Sequence, residues 1–223
     1  MKAMILAAGR GERMRPLTDE QPKPLLHVGG RTLIDRHLEG LARAGFREVV
    51  INLAWLGHRI REHVGDGADW GLEVRYSDEG EHGLETAGGI VRALPLLGEA
   101  PFAVINADVY TDYPYERLAP PIDAQAHLVL VANPPQHPEG DFHFADGRVA
   151  PGGGERLTFS GIGVYHPRLF AGLPDGPAPL SPILRTAIAR DAVSAEYYSG
   201  DWRDIGTPER LYELDRELRT KVQ

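Results

Sequence analysis

The segment from Leu6 to Leu26 gathers the residue types that bind a polyphosphate. An apolar run, Ala3 to Ala8, breaks into a turn containing Gly9 and Gly11; Arg10, Arg13 and Arg15 follow, then Lys23 between Pro22 and Pro24. Glycines let backbone N–H groups approach phosphate oxygens, because no Cβ intervenes. Arginine forks and one compact ammonium supply the charge such a ligand needs. The pattern predicts a nucleoside triphosphate cradle. A dinucleotide fingerprint needs a third glycine and an acidic residue roughly 20 positions on. Here the run is Gly9-Arg10-Gly11-Glu12-Arg13-Met14 and the next apolar strand ends in Asn52. A Walker loop needs Gly-Lys-Ser/Thr before a helix, and the chain has none. The blander alternative is a plain strand-to-helix turn with solvated arginines.

Lysine usage sharpens the reading. Only Lys2, Lys23 and Lys221 occur, against 21 arginines, so Lys23 is the one lysine away from the termini. The net charge of −8 disfavours nucleic acid as a partner, and an acidic protein that handles phosphate must concentrate its cations locally. No cysteine is present, which excludes disulfides, thiolate metal sites and cysteine nucleophiles and fits a reducing compartment. No apolar run approaches a membrane span and no signal-peptide pattern opens the chain, so no membrane partner and a cytoplasmic location are expected. Oligomeric state is not legible.

These residues need a scaffold to position them. Hydrophobic content of 42% over 223 residues suits one sizeable core. Apolar runs predict strands at residues 3–6, 48–52, 73–77 and 102–106, and helical periodicity covers 33–44, 56–64 and 86–94. This rhythm implies an α/β fold of Rossmann-like type, a mostly parallel central sheet with helices on both faces, and ligands beyond the carboxyl ends of its strands. The second half is richer in strands (128–132, 158–165, 192–198), with Pro/Gly-dense loops at 133–140, 151–154 and 172–182. A helix over 208–218, with Thr207 as N-cap and Pro208 at its first position, closes the chain. A single domain over 1–223 is expected, with a nucleotide-binding half at about 1–110 and a sugar-binding half at about 111–223. Nine histidines lack paired ligand spacing, and Trp55, Trp70 and Trp202 read as packing residues.

In these motifs the chain resembles the sugar-1-phosphate nucleotidyltransferases, nearly end to end. Leu6–Thr18 is similar to that family's signature loop and Pro22–Leu26 to its lysine-bearing partner. Leu84-Glu85-Thr86-Ala87-Gly88-Gly89 resembles the base-recognition turn, Asn106-Ala107-Asp108 the segment ending in a metal-binding aspartate, and Phe159–Tyr165 the strand beside the sugar. Trp202–Glu209 resembles the motif with the second metal-binding aspartate, Asp204; Asp201 is the lesser candidate. The resemblance implies nucleotide contacts from Ala8, Gly9, Gly11, Glu12, Arg13, Lys23, Glu79, Thr86, Gly88 and Asn106, and Mg²⁺ on Asp108 and Asp204. It implies sugar contacts from Asn106, Gly140, Glu155, Arg156 and Gly161. The chain departs in two places. Glu85 stands where many members have glycine, and Gly154-Glu155-Arg156-Leu157 where many have Glu-Lys-Pro, leaving Arg156 in place of a lysine that binds sugar phosphate.

The implied reaction is an in-line displacement at the α-phosphorus of a triphosphate by a sugar 1-phosphate, releasing pyrophosphate. Two polyanions must meet, so catalysis is positioning plus charge neutralisation. Arg15 would hold the β- and γ-phosphates and Lys23 the α-phosphate. No general base is needed, since the attacking phosphate oxygen is already ionised. The short Leu-Glu-Thr-Ala-Gly-Gly version is most similar to members that join UTP to the 1-phosphate of N-acetylmuramic acid, whose lactyl carboxylate would want a donor such as Arg156 or Arg203. Guanylyl, thymidylyl and cytidylyl transfer remain open, as does a non-catalytic sugar-nucleotide-binding protein.

Overall fold

A computed structural model describes residues 1–120 and 123–221. The first half runs β1 (Ala3–Leu6), α1 (Leu17–Glu20), β2 (His27–Val28), β3 (Arg31–Thr32), α2 (Leu33–Arg43), β4 (Glu48–Leu53), α3 (Gly57–Val64), β5 (Glu73–Asp78), α4 (Glu85–Leu97), β6 (Phe102–Asn106) and β7 (Val109–Thr111). The second continues through β8 (Ala126–Val131), β9 (Phe142–Ala145), β10 (Arg148–Ala150), β11 (Glu155–Tyr165), α5 (Leu180–Ile188), β12 (Val193–Tyr198), β13 (Trp202–Asp204) and α6 (Pro208–Lys221).

One sheet of nine strands, in the order β5-β4-β1-β6-β11-β8-β12-β10-β9, passes through both halves. Its first four strands are mutually parallel. The eleven-residue β11 is antiparallel to β6 and β8, while β12 runs parallel to β8. Continuous apolar runs such as Ala3–Leu6 belong in this setting, buried on both faces. Alternation along β1 divides the core: Ala3 and Ile5 pack with Leu38, Ile51 and Ile60, whereas Met4 packs with Ile90, Phe102 and Leu184 on the other face. A third cluster joins Met14, Leu26, Val28 and Leu33 to Ile205, Leu211 and Leu214 of the last helix and the loop before it. Helix α2 is fixed at its start by Thr32, whose hydroxyl accepts from Asp35 N at 3.1 Å.

Three elements differ from the sequence reading. Leu180–Ile188 is helical although the Pro/Gly-dense stretch was expected to run through Pro182; a first-turn proline is compatible with a helix. Phe142–Ala145 and Arg148–Ala150 form a hairpin with Asp146 and Gly147 in left-handed conformation at its turn. Val109–Thr111 and Trp202–Asp204, assigned to no element from the sequence, make a separate antiparallel ribbon. That ribbon carries both proposed metal-binding segments.

Candidate active site

The carboxyl ends of β1, β4 and β6 open into a cleft of about 460 Å³. Gly11 begins the turn lining this cleft at φ 67°, and a Cβ there would lie 3.1 Å from Thr18 Cγ2 and 3.3 Å from Lys23 Cβ, so backbone conformation and close packing both favour glycine. Thr18 Oγ1 donates to Gly11 O at 2.8 Å, tying the turn to α1. Across the cleft, Asn52 Oδ1 accepts from Ala7 N at 2.7 Å while Asn52 Nδ2 donates to Glu79 Oε1 at 2.6 Å. The other Glu79 oxygen accepts from Leu84 N at 2.6 Å. One buried chain of hydrogen bonds therefore sets the glycine turn against the turn that precedes α4. On the remaining wall Lys23 Nζ donates to Asp108 Oδ2 at 2.5 Å, with the lysine side chain 9% exposed and the aspartate 36%.

The cleft brings together Ala8, Gly9, Gly11, Glu12, Arg13, Lys23, Glu79, Thr86, Asn106 and Asp108. It does not gather every expected residue. Arg10 stacks on the Trp55 ring at 3.8 Å, and Arg15 pairs with Asp19 at 2.6 Å, so of the three loop arginines only Arg13 faces the cavity. Gly88 is buried within α4, its N–H bonded to Ala178 O at 3.1 Å; it serves the packing of the helix on the 176–178 loop rather than the cleft lining. Asp204 faces a second cavity and is ion-paired with Arg210. It remains close to the cleft: Ile205 N donates to Asp108 O at 3.0 Å, and a Cβ on cleft-lining Gly206 would lie 3.1 Å from Asp204 Oδ2.

A further cavity of about 830 Å³ shares Glu85, Thr86 and Asn106 with the cleft and extends along β11 and α5. Gly140 and Arg156 line it. Gly161, at φ 79°, packs so tightly on Asn106 that a Cβ would lie 2.7 Å from its Nδ2. Glu155 is exposed at the start of β11, paired in register with Phe144 and outside the cavity lining. Glu85 adopts φ 58°, the left-handed region that glycine enters freely, which accounts for glycine at this position in similar turns.

Sequence reasoning missed Asn52 as a network residue. Its signal was a polar side chain ending an apolar strand at the ligand-binding edge. It also missed Arg185, which no motif marks. Arg203, expected near a sugar carboxylate, is instead paired with Asp201 at 2.9 Å and Glu217 at 3.1 Å beside the second cavity. His37, packed beneath the ribbon, shares a hydrogen bond of 2.7 Å with the Tyr115 hydroxyl, and burial lowers its pKa to about 4. It is neutral near pH 7 and takes no acid–base part. Burial pushes the Tyr115 hydroxyl above its ordinary value.

Among the described residues no group of three or more His, Cys, Asp or Glu side chains gathers as a protein-only metal cage. A carboxylate in the turn before β7, Asp108, and one at the end of β13, Asp204, suit Mg²⁺, which prefers few protein oxygens and completes its shell with phosphate and water. No helix among the described residues is long and apolar enough to cross a membrane.

The Nucleotidyl transferase family matches residues 2–148. An N-acetylmuramate alpha-1-phosphate uridylyltransferase of Neisseria meningitidis serogroup B is 52% identical over 222 residues, covering 96% of each chain. The chain belongs to the sugar-1-phosphate nucleotidyltransferases. A second uridylyltransferase of that name, from Caulobacter vibrioides, is 36% identical to this nucleotidyltransferase over 97% of its length. In three dimensions it superimposes on a putative glucose-1-phosphate thymidylyltransferase from Bacillus anthracis with a TM-score of 0.85 at 20% identity, covering 98% of this chain and 95% of the other. At that identity the likeness speaks for the Rossmann-like fold alone.

Proposed function

We propose that this enzyme transfers uridylate from UTP to N-acetylmuramate 1-phosphate, giving the UDP-sugar and pyrophosphate, in the recycling of cell-wall sugar. The observation that carries the chemistry is the meeting of two cavities at Glu85, Thr86 and Asn106, beside the Lys23–Asp108 pair. A triphosphate in the cleft and a sugar phosphate in the larger cavity would present their phosphates to each other there. The choice of substrates rests on the two uridylyltransferases above, each similar to this chain along nearly its whole length.

A sugar-phosphate oxygen attacks the α-phosphorus as the bond to the β-phosphate oxygen breaks. Backbone N–H groups of the Gly9–Glu12 turn, together with Arg13, hold the departing phosphates. Arg15 joins them by exchanging Asp19 for the β- and γ-phosphates; an exposed ion pair is worth no more than about 1 kcal/mol and yields readily to a polyphosphate. Lys23 moves from Asp108 onto the α-phosphate, where its ammonium meets charge that grows in the transition state. Asp108 and Asp204 would hold Mg²⁺, which would supply positive charge to offset that of the two phosphates. Asn106, Gly140, Glu155, Arg156 and Gly161 form the sugar side, Glu155 from the rim.

A pyrophosphate-release screen pairing UTP, GTP, dTTP and CTP with several sugar 1-phosphates tests the reading. UTP with N-acetylmuramate 1-phosphate is expected to turn over fastest, and only with Mg²⁺. Turnover confined to another base, or absent with this sugar, would replace the assignment.

A further inference from the structure

We propose that Arg185, which lines the larger cavity together with Arg156, is the specificity residue that reads a carboxylate on the sugar substrate. The inference rests on the uridylyltransferase reading above and identifies which group of this chain distinguishes a sugar acid from a neutral sugar.

The cavity has two ends. Asn106 and Thr86 mark the end shared with the nucleotide cleft, where the 1-phosphate must lie. Arg156 and Arg185 also line a neighbouring depression with His143, Pro151 and Ile188, which neither Asn106 nor Thr86 reaches. They therefore stand together at the distal end. A sugar entering phosphate-first presents its ring substituents to them.

The two guanidiniums at that end keep N–H groups available to an anion, while Asp141 lies beside them. Arg185 projects from the last turn of α5, exposed, and its guanidinium makes no hydrogen bond or ion pair among the described residues. Among the described residues Arg156 is anchored by one edge: Nη2 donates to Gly140 O at 3.0 Å and to Asp141 O at 3.4 Å, and its other N–H groups have no partner there. The acidic neighbour Asp141 is already engaged, one oxygen with His137 at 3.0 Å and the other with Phe159 N at 2.8 Å. Two other carboxylates, Glu85 and Glu139, line the cavity without a partner among the described residues and suit sugar hydroxyl and amide donors. An unpaired planar guanidinium beside a second, half-anchored one is a geometry for bidentate carboxylate recognition. Neutral sugars would leave both without a counter-ion. Of the arginines expected for this task, Arg203 is occupied by Asp201 and Glu217 and lines a different cavity.

The test compares N-acetylmuramate 1-phosphate with N-acetylglucosamine 1-phosphate, which lacks the lactyl carboxylate, in wild type, Arg185→Ala and Arg185→Lys with UTP and Mg²⁺. The selectivity ratio of kcat/KM values between the two sugars is expected to fall about tenfold or more in Arg185→Ala, the scale of one charge-assisted hydrogen bond. The loss should appear in KM for N-acetylmuramate 1-phosphate, not in KM for UTP. Arg185→Lys should recover part of it, because charge returns without the fork. Thermal unfolding, expected to be nearly unchanged for this exposed side chain, separates recognition from a folding defect. If wild type uses N-acetylmuramate 1-phosphate and the ratio stays within about twofold in Arg185→Ala, the role of Arg185 is overturned while the uridylyltransferase reading stands. No turnover of N-acetylmuramate 1-phosphate by wild type overturns both.

Discussion

Replacing Lys23 by methionine keeps the length of the side chain and removes its ammonium. In the structure that ammonium lies 2.5 Å from Asp108 Oδ2, on a side chain only 9% exposed. Two costs can be separated. The fold loses one charge-assisted hydrogen bond, but its partner is 36% exposed and can turn to water, so the loss should be about 1–2 kcal/mol, in the range for a part-buried contact. For a domain of this size that corresponds to roughly 2–8 °C in Tm. Catalysis loses the cation facing the α-phosphate, a preorganised contact whose removal costs about a hundredfold to a thousandfold, or roughly 2.7–4 kcal/mol. Because the interaction strengthens as charge develops, kcat should fall together with kcat/KM while KM for UTP changes little. Coupled pyrophosphate release and a thermal scan measure the two effects on the same preparation. A loss in kcat/KM below about threefold would refute the placement of Lys23 at the reacting phosphorus, as would a loss explained wholly by unfolding at the assay temperature.

Other consequences follow from particular residues. His37 has a folded pKa of about 4, below its unfolded value, so the unfolded chain takes up the proton first as pH falls. Stability from this group is complete above about pH 6.5 and drains away towards pH 4, with about 2 kcal/mol lost between pH 7 and 5. Denaturant unfolding should therefore show a steeper loss in wild type than in His37→Gln, and parallel slopes would contradict it. In Gly161→Ala the new methyl would lie 2.7 Å from Asn106 Nδ2 at a backbone φ of 79°, so Asn106 must move. KM for the sugar phosphate should rise about tenfold, the sensitivity expected of a displaced positioning residue, and an unchanged KM would detach Asn106 from the sugar. Glu85→Gly relieves a left-handed backbone that costs about 1–2 kcal/mol, against roughly 0.5–1 kcal/mol of added chain entropy. Stability should hold or rise by up to about 1 kcal/mol while kcat/KM falls; a less stable variant with full activity would mean that Glu85 serves the fold alone.

Much of the first half was legible because its signals are local. Ala3–Leu6 and Phe102–Asn106 are strands with the bounds their apolar runs suggest, and Leu33 to Arg43 shows its helical stripe plainly. Long-range pairing was not legible. Val109–Thr111 and Trp202–Asp204 are each three residues, too short for periodicity, and become strands only because they meet each other across the fold. The hairpin of Phe142–Ala150 sits among glycines that resemble a loop until β11 pairs with it. The same limit applies to the site. Gly11 and Lys23 stand out by composition and spacing and Asp108 by the family resemblance, but the partners of Arg15 and Asp204, and the shared lining of Arg156 and Arg185, depend on side-chain placement that no motif encodes.

The most direct test is a crystal structure of the enzyme with Mg²⁺, N-acetylmuramate 1-phosphate and a UTP analogue whose α,β-bridging oxygen is replaced by methylene, so that no transfer occurs. The expected result has the metal touching both Asp108 and Asp204, Arg210 displaced from Asp204, and Lys23 Nζ moved from Asp108 to the α-phosphate. A complex with the triphosphate outside the Gly9–Arg13 turn, or with the metal held away from both aspartates, would contradict it.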